Sequence, residues 1–387
     1  MSTVGQRERI TQNRVVQLFQ THLGYAYLGN WETRPNNRNI EPDLLRQWLT
    51  RQGVSDTLIS KALRELTQAA ILGDSDRLYD ANKAVYSKLR YGVKVKAGAG
   101  EQTQTVPRID WQHPDNNHFA IAEEVTVKGP NDKRPDIVLY VNGIALGVLE
   151  LKKGGVTVEK GIRQNLDNQK KEFIQPFFTT LQLVMAGNDT QGLRYGTIET
   201  PEKYYLTWKE ENPTYNPKTD PKTRKYLPST DPAIGDNPLD TALVRLCHKA
   251  RFLEIIHDFI VFDAGTKKTC RHNQYFGTKA AQQRVQRREG GIIWHTQGSG
   301  KSLTMVWLAK WIREHTTDAR ILIITDRTEL DEQIEGVFQG VDEAIYRTTS
   351  SADLIDRLNA TTPWLLCSLV HKFGSRDEAD ATQGTEQ

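Results

Sequence analysis

RPDIVLYVNGIALGVLELKKG, running from Arg134 to Gly154, decides the fold of this chain. Ile137–Val141 is a strand by composition, and Ala145–Leu151 is a second one. Between them stands Asn142-Gly143, the dipeptide favoured in a two-residue type I′ hairpin because both central residues need a positive φ. Pro135 can begin a strand but cannot sit in its middle, so Asp136 falls at the open end of the hairpin. Antiparallel pairing brings Glu150-Leu151-Lys152 back beside it. Side chains alternate across a strand, which puts Glu150 and Lys152 on one face and Leu149 and Leu151 on the other. Two carboxylates and an ammonium therefore converge at one sheet edge.

Those residue types suit one chemistry. Asp136 and Glu150 can share a hard divalent cation such as Mg²⁺, which prefers carboxylate oxygens and keeps several waters. Such a metal acidifies a water for attack on a phosphodiester, while Lys152 deprotonates it or stabilises the pentavalent charge. The bland alternative is a hairpin whose charged end is merely solvated. Against it, the charges interrupt an otherwise apolar strand, where burying them is costly without a partner or metal.

The segment resembles the PD-(D/E)xK nuclease motif, with Pro135-Asp136 and Glu150-Leu151-Lys152 in its positions. More narrowly, it resembles the nuclease core of the restriction (R, motor) subunit of type I restriction–modification enzymes. In that family a following helix carries Gln-x-x-x-Tyr near the active site. GIRQNLDNQKKEF supplies Gln164 there, with Asn168 in the place of the tyrosine. The resemblance thus implies Gln164 as a further catalytic residue, and it leaves the family's earlier acidic residue without a position in this sequence.

A second constellation lies at HTQGSGKSLTM, starting at His295. A phosphate-binding loop needs backbone amides around the phosphates, a lysine reaching them and a hydroxyl on Mg²⁺. Thr296, Gln297, Gly298, Ser299, Gly300, Lys301 and Ser302 supply these parts, with Ser302 as the metal ligand; only the first glycine is replaced, by His295. GGIIWH predicts a short strand leading in, and SLTMVWLAKWIREH a helix leading out, so the phosphates of ATP would meet a helix N-terminus. The variant resembles motif I of superfamily-two helicases and translocases, and WHTQGSGKSLTM resembles the type I restriction motor in particular. That resemblance implies an adenine-reading glutamine, for which RHNQYFGT offers Gln274. It also assigns ARILIITDRTELDEQI to the strand-tracking motif, with Asp326 and Arg327 at a strand's C-terminal end.

A Walker B strand ending in Asp-Glu is also required for hydrolysis. ILIITD continues into Arg327, PWLLCSLVHKF carries no acidic pair, and Asp377–Asp380, although spelling D-E-A-D, follows HKFGSR rather than an apolar strand. The expectation is a complete nuclease with a motor cut inside its first lobe.

The rest of the sequence fits an α/β protein of 387 residues, 37% hydrophobic and 26% charged, with net charge +3. Three widely spaced cysteines and no zinc spacing suit a reducing cytoplasm. No apolar run approaches the roughly 18 residues of a membrane span. The expected division is a PD-(D/E)xK domain with a helical N-terminal part over 1–210, a Pro- and Asp-rich linker or insertion over 211–238, and an incomplete RecA-like P-loop lobe over 239–387. Helices are expected over most of the first 90 residues, over Val158–Phe173 and over LDTALVRLCHKARFLEIIHDFI. The implied reaction is Mg²⁺-dependent hydrolysis of double-stranded DNA, coupled to ATP-driven translocation, with methyltransferase and specificity subunits as partners. The alternatives are a non-catalytic nucleic-acid or partner-binding module, and a helicase–nuclease of DNA repair.

Overall fold

The computed structural model describes residues 3–73, 75–210, 237–341 and 343–373. The linker reading of 211–238 falls almost wholly on residues 211–236, outside the described residues, and so do the Asp377–Asp380 tetrad and the tail after it. The chain forms two units. One comprises Met1–Ile260 with Gly265–His272, the other Val261–Ala264 with Asn273–Gln387.

In the first unit the chain runs through α1 (Thr3–Thr21), β1 (Ala26–Asn30), α2 (Pro42–Arg51), α3 (Asp56–Ala69) and α4 (Leu78–Tyr91). A hairpin of β2 (Val93–Lys96) and β3 (Thr103–Val106) follows, then β4 (Phe119–Glu123), β5 (Ile137–Val141) and β6 (Ile144–Leu151). The unit continues with α5 (Val158–Asn168), β7 (Leu183–Asn188), β8 (Gly192–Gly196), α6 (Pro238–Cys247) and α7 (Lys249–Asp258). Six strands make one mixed sheet in the order β1-β4-β5-β6-β7-β8. The β1/β4 and β6/β7 pairs are parallel and the others antiparallel.

Every residue of β4 to β7 is buried, as a sheet covered on both faces requires. On one face Ala120, Ala122, Val138, Val148 and Val184 form a core with Val158 and Ile162 of α5. On the other, Phe252 of α7 reaches the level of Gly147 and Met185. The β5–β6 turn has Asn142 at φ 51° and Gly143 at φ 81°, the left-handed pair that a type I′ turn demands.

Three elements of this first unit depart from the sequence reading. The helix begun at Val158 ends at Asn168 instead of Phe173, because a turn there brings Ile174 and Phe177 into the core. The N-terminal region contains β1, a five-residue edge strand with no strong periodicity, parallel to β4. The helical run after Pro238 breaks at His248, whose backbone is extended, and the Cys247 carbonyl at the break accepts a 2.8 Å hydrogen bond from Tyr25 Oη. Both halves pack in the first unit: Leu239 lies at Gly187, and Arg251 forms a buried 2.8 Å ion pair with Glu210. The segment from Pro238 to Asp258 therefore sits with the large sheet, although the sequence division at residue 239 grouped it with the P-loop.

The chain continues through β9 (Ile260–Asp263), β10 (Thr266–Thr269) and α8 (His272–Gln286). The second unit then holds α9 (Lys301–His315), β11 (Ile321–Thr325), α10 (Thr328–Gly340), β12 (Tyr346–Arg347), α11 (Ser351–Asn359) and β13 (Leu365–Leu369). Its sheet is parallel, in the order β11-β13-β12. The strand expected at GGIIWH is absent: residues 290–295 pair with no strand among the described residues, and Ile292 and Trp294 are 89% and 91% exposed. Gly290-Gly291 weakens strand propensity there, and without a neighbour the backbone has no ladder to join. No helix among the described residues is long and apolar enough to cross a membrane. The three cysteines are free and buried.

Candidate functional site

The ladder between β5 and β6 pairs Ile137 with Leu149, so the next rung outward sets Asp136 opposite Glu150. There the Leu151 amide donates to Asp136 Oδ2 at 2.6 Å. Lys152 Nζ donates to Glu150 Oε1 at 2.8 Å and to the Leu151 carbonyl at 2.9 Å. The structure thus brings Asp136, Glu150 and Lys152 together at the strand ends.

Their electrostatics are unusual for a sheet edge. Glu150 is completely buried, and its Oε2 has no hydrogen-bond partner. Burial, then the charge of Asp136, pushes the Glu150 carboxyl well above the usual range. Burial also raises Asp136, to about 6, against the opposing pull of the Lys152 ammonium and the Leu151 amide. An orphaned buried carboxylate oxygen beside a second carboxylate is the donor set that a hard cation satisfies.

A third carboxylate joins the row, one that the sequence left without a position. The β4–β5 ladder pairs Glu123 with Ile137, and beyond it the Glu124 amide donates to the Asp136 carbonyl at 2.9 Å. Glu124 is close enough for its charge to raise Asp136 further. Its φ of 51° is left-handed, an uncommon state for a residue other than glycine and one that clusters at functional sites. Glu124, Asp136 and Glu150 therefore occupy one rung across three strand ends. The neighbouring Glu123 is spent on structure, accepting from Tyr27 Oη at 2.7 Å and from Gln12 and Asn30 at 3.3 Å. Only knowledge that β4 borders β5 would have told the two glutamates apart.

Helix α5 closes the site from the covered face. A Cβ built on Gly161 would stand 3.5 Å from both Glu150 Cγ and Lys152 Cγ. Gln164 is half-buried one turn further along. Asn165 donates to the Met185 carbonyl at 2.9 Å, while buried Asn168 leaves both side-chain polar atoms without partners.

In the second unit, Gly298 and Gly300 have φ of 75° and 84° on either side of Ser299, and Gly300 is the residue before α9. The left-handed backbone at both glycines folds the loop back on itself just before the N-terminus of α9, with the Ser299 amide donating to the Thr296 carbonyl at 3.3 Å. Lys301 Nζ lies 3.4 Å from the carbonyls of His295 and Thr296. The buried Ser299 hydroxyl has no partner; Thr296 and Gln297 are exposed, and Ser302 is half-exposed in the first turn of the helix. Gln274 is buried and donates from Nε2 to the Gly300 carbonyl at 2.9 Å, so its carboxamide touches the loop itself. Asp326 and Arg327 follow the last residue of β11, both largely exposed and 3.7 Å apart.

Comparison with known proteins finds matches for two parts of the chain. Residues 5–203 match the family model described as the type I restriction enzyme R protein N terminus, and residues 273–387 match that of the SWI2/SNF2 ATPase. The MjaIXP type I restriction enzyme endonuclease subunit of Methanocaldococcus jannaschii is 26% identical, over 95% of this chain and 38% of its own length. The HindI endonuclease subunit of Haemophilus influenzae is 27% identical, over 78% of the chain and 29% of its own length. The SsaAORF53P endonuclease subunit of Staphylococcus saprophyticus is 23% identical, over 70% and 28% respectively. The chain spans less than two fifths of the length of these relatives.

Proposed function

The chain belongs to the family of type I restriction enzyme R protein N-terminal regions, and from that membership we propose that it carries the DNA-cleaving site of a type I restriction endonuclease subunit. The observation that carries the proposal is the rung of three carboxylates, with Glu150 fully buried and one of its oxygens unpartnered. In this reading the site is of the PD-(D/E)xK type and the reaction is hydrolysis of a phosphodiester in double-stranded DNA.

Asp136 and Glu150 would hold Mg²⁺, with Glu124 beside them. When bound there, such a metal would supply Lewis acidity to the phosphate and a water acidified for attack. The chain's own residues do the rest. The Leu151 amide fixes the Asp136 carboxylate beside Glu150, within hydrogen-bonding reach of it. Lys152, held at 2.8 Å from Glu150, keeps an ammonium next to the reacting phosphate, where it stabilises the charge that develops in the transition state. Helix α5, through Gly161 and Gln164, walls the site on the covered face and limits water access.

The P-loop residues Thr296 to Ser302, with Gln274, fit ATP: Gly298 and Gly300 shape the phosphate cradle, and Lys301 and Ser302 stand at the helix start. We assign ATP-driven translocation to the motor that this second unit contributes to, and expect methyltransferase and specificity subunits as partners. These assignments rest on the matched families and on the names of the relatives.

The test is Mg²⁺-dependent nicking of supercoiled plasmid by the purified chain, with Glu150→Gln and Lys152→Ala prepared alongside and checked for folding by circular dichroism. Nicking that needs Mg²⁺ and drops at least about a hundredfold in both variants supports the site. Equal nicking by wild type and variants sinks it, and inertness of all three proteins despite DNA binding favours a binding module instead.

A further inference from the structure

Arg134 directly precedes Pro135 and Asp136, and the guanidinium has a place of its own in the site. Its Nε lies 2.7 Å from Glu124 Oε2, and the other side of the fork pairs with Glu32. Glu32 is positioned to receive it: the loop after β1 is stitched to the strand end by Trp31 N to the Glu123 carbonyl at 2.8 Å and by Thr126 Oγ1 to the Glu32 carbonyl at 2.8 Å. Arg134 therefore bridges two carboxylates, one of which is the third member of the metal-facing rung. Glu124 is mostly buried, whereas the Arg134 side chain is 46% exposed. Arg9 approaches the other Glu124 oxygen only at 4.0 Å.

This arrangement has a chemical consequence. A carboxylate paired with a guanidinium is a weaker cation ligand, since the arginine neutralises it and occupies one of its oxygens. A guanidinium half-open to solvent at a DNA-cleaving edge is also well shaped for bidentate capture of a phosphodiester. We propose that Arg134 couples arrival of the DNA backbone to completion of the metal site. In the DNA-free protein Arg134 holds Glu124; a backbone phosphate competes for the guanidinium and releases Glu124 to the cation beside Asp136 and Glu150. Arg134 is thus a positioning residue, and the site binds metal tightly only when a phosphodiester is in place. The inference rests on the nuclease reading above and adds the order in which the site fills.

The experiment measures Ca²⁺ binding by isothermal titration, with and without a saturating 20-base-pair duplex, and takes the ratio of the two dissociation constants. For wild type, duplex tightens Ca²⁺ binding about tenfold or more, a coupling of ordinary size. In Arg134→Gln, the DNA-free protein binds Ca²⁺ more tightly than wild type, and the ratio falls at least about threefold. If removal of a positive charge were the whole effect, both affinities would rise together and the ratio would stay; that result overturns the proposal. Should Arg134→Gln not fold, Arg134→Lys serves, because a lysine cannot bridge Glu124 and Glu32 with a planar fork, and an unchanged ratio is again fatal. Glu150→Gln separates this proposal from the nuclease reading. Loss of Ca²⁺ binding in it together with an unchanged Arg134 ratio rejects the coupling alone, whereas undiminished Ca²⁺ binding rejects the metal site and the coupling with it.

Discussion

Asp136 Oδ2 accepts the Leu151 amide at 2.6 Å, one bond that both closes the mouth of the β5–β6 hairpin and aims the carboxylate at Glu150. Burial lifts the Asp136 pKa to about 6, although the Leu151 amide itself pulls the other way. A carboxyl raised on folding makes the native state less stable as it ionises: the unfolded chain loses its proton near the ordinary value, the folded chain only near 6. Asp136→Asn removes that penalty and keeps an oxygen for the Leu151 amide. The metal-free variant should therefore gain stability over wild type, by an amount that grows from pH 4 to about pH 6 and is then constant. Urea unfolding in chelator across this range measures it; a gain that shrinks as pH rises contradicts the burial argument.

The same pKa direction governs metal uptake. Glu150 lies well above the ordinary range and Asp136 near 6, so a cation entering the rung must displace protons. Apparent Ca²⁺ affinity should climb steeply between pH 5 and 7. Titration at pH 6 in two buffers of different ionisation enthalpy should reveal release of about one proton per ion. A buffer-independent heat would mean that both carboxylates are already ionised in the free protein.

Gly161 sets how closely α5 approaches β6, the strand that carries Glu150. A Cβ there would stand 3.1 Å from Ala186 Cβ, and 3.5 Å from Glu150 Cγ and Lys152 Cγ. Alanine is the better helix former by about 1 kcal/mol, and the crowding opposes that gain by a similar amount. Gly161→Ala should thus leave the melting temperature within a few degrees while plasmid nicking falls about tenfold, because relieving the 3.1 Å contact with Ala186 shifts α5 against Glu150 and Lys152, which the new carbon meets only at ordinary contact distance. A large fall in melting temperature with normal nicking would show that α5 only covers the core.

How much of this was legible beforehand follows from how local each signal is. The hairpin could be read because Asn142-Gly143 fixes a turn within two residues, but that turn alone pairs Val141 with Ile144 and would set Asp136 against Leu149; an irregularity between Leu139 and Tyr140 shifts the ladder by one residue and brings Glu150 opposite Asp136. Glu124 could not, since its place depends on β4 lying next to β5 and on a left-handed backbone at residue 124. Arg134 was invisible for the same reason; its partner Glu32 comes from a loop about a hundred residues earlier. In the second unit, the Gly-x-Gly-Lys-Ser pattern marked the turn before α9, but apolar composition alone misread 290–295 as a strand. A strand needs a neighbour to pair with, and composition carries no information about that neighbour.

Gly300 offers the sharpest test of the nucleotide loop. Its φ is 84°, a conformation in which a β-carbon is strained, and that carbon would also collide with Gln274 Nε2, which now donates to the Gly300 carbonyl at 2.9 Å. Gly300→Ala should therefore turn the amide before α9 away from the cradle and expel the Gln274 side chain together. Binding of a fluorescent ATP analogue should weaken at least about tenfold, the effect of losing one charge-assisted backbone contact. Gln274→Ala should weaken it less, since it vacates the space without straining the loop, and the double variant should be no worse than Gly300→Ala by itself. Additive losses in the double variant would mean that the two residues act independently and that the 2.9 Å contact does not organise the loop.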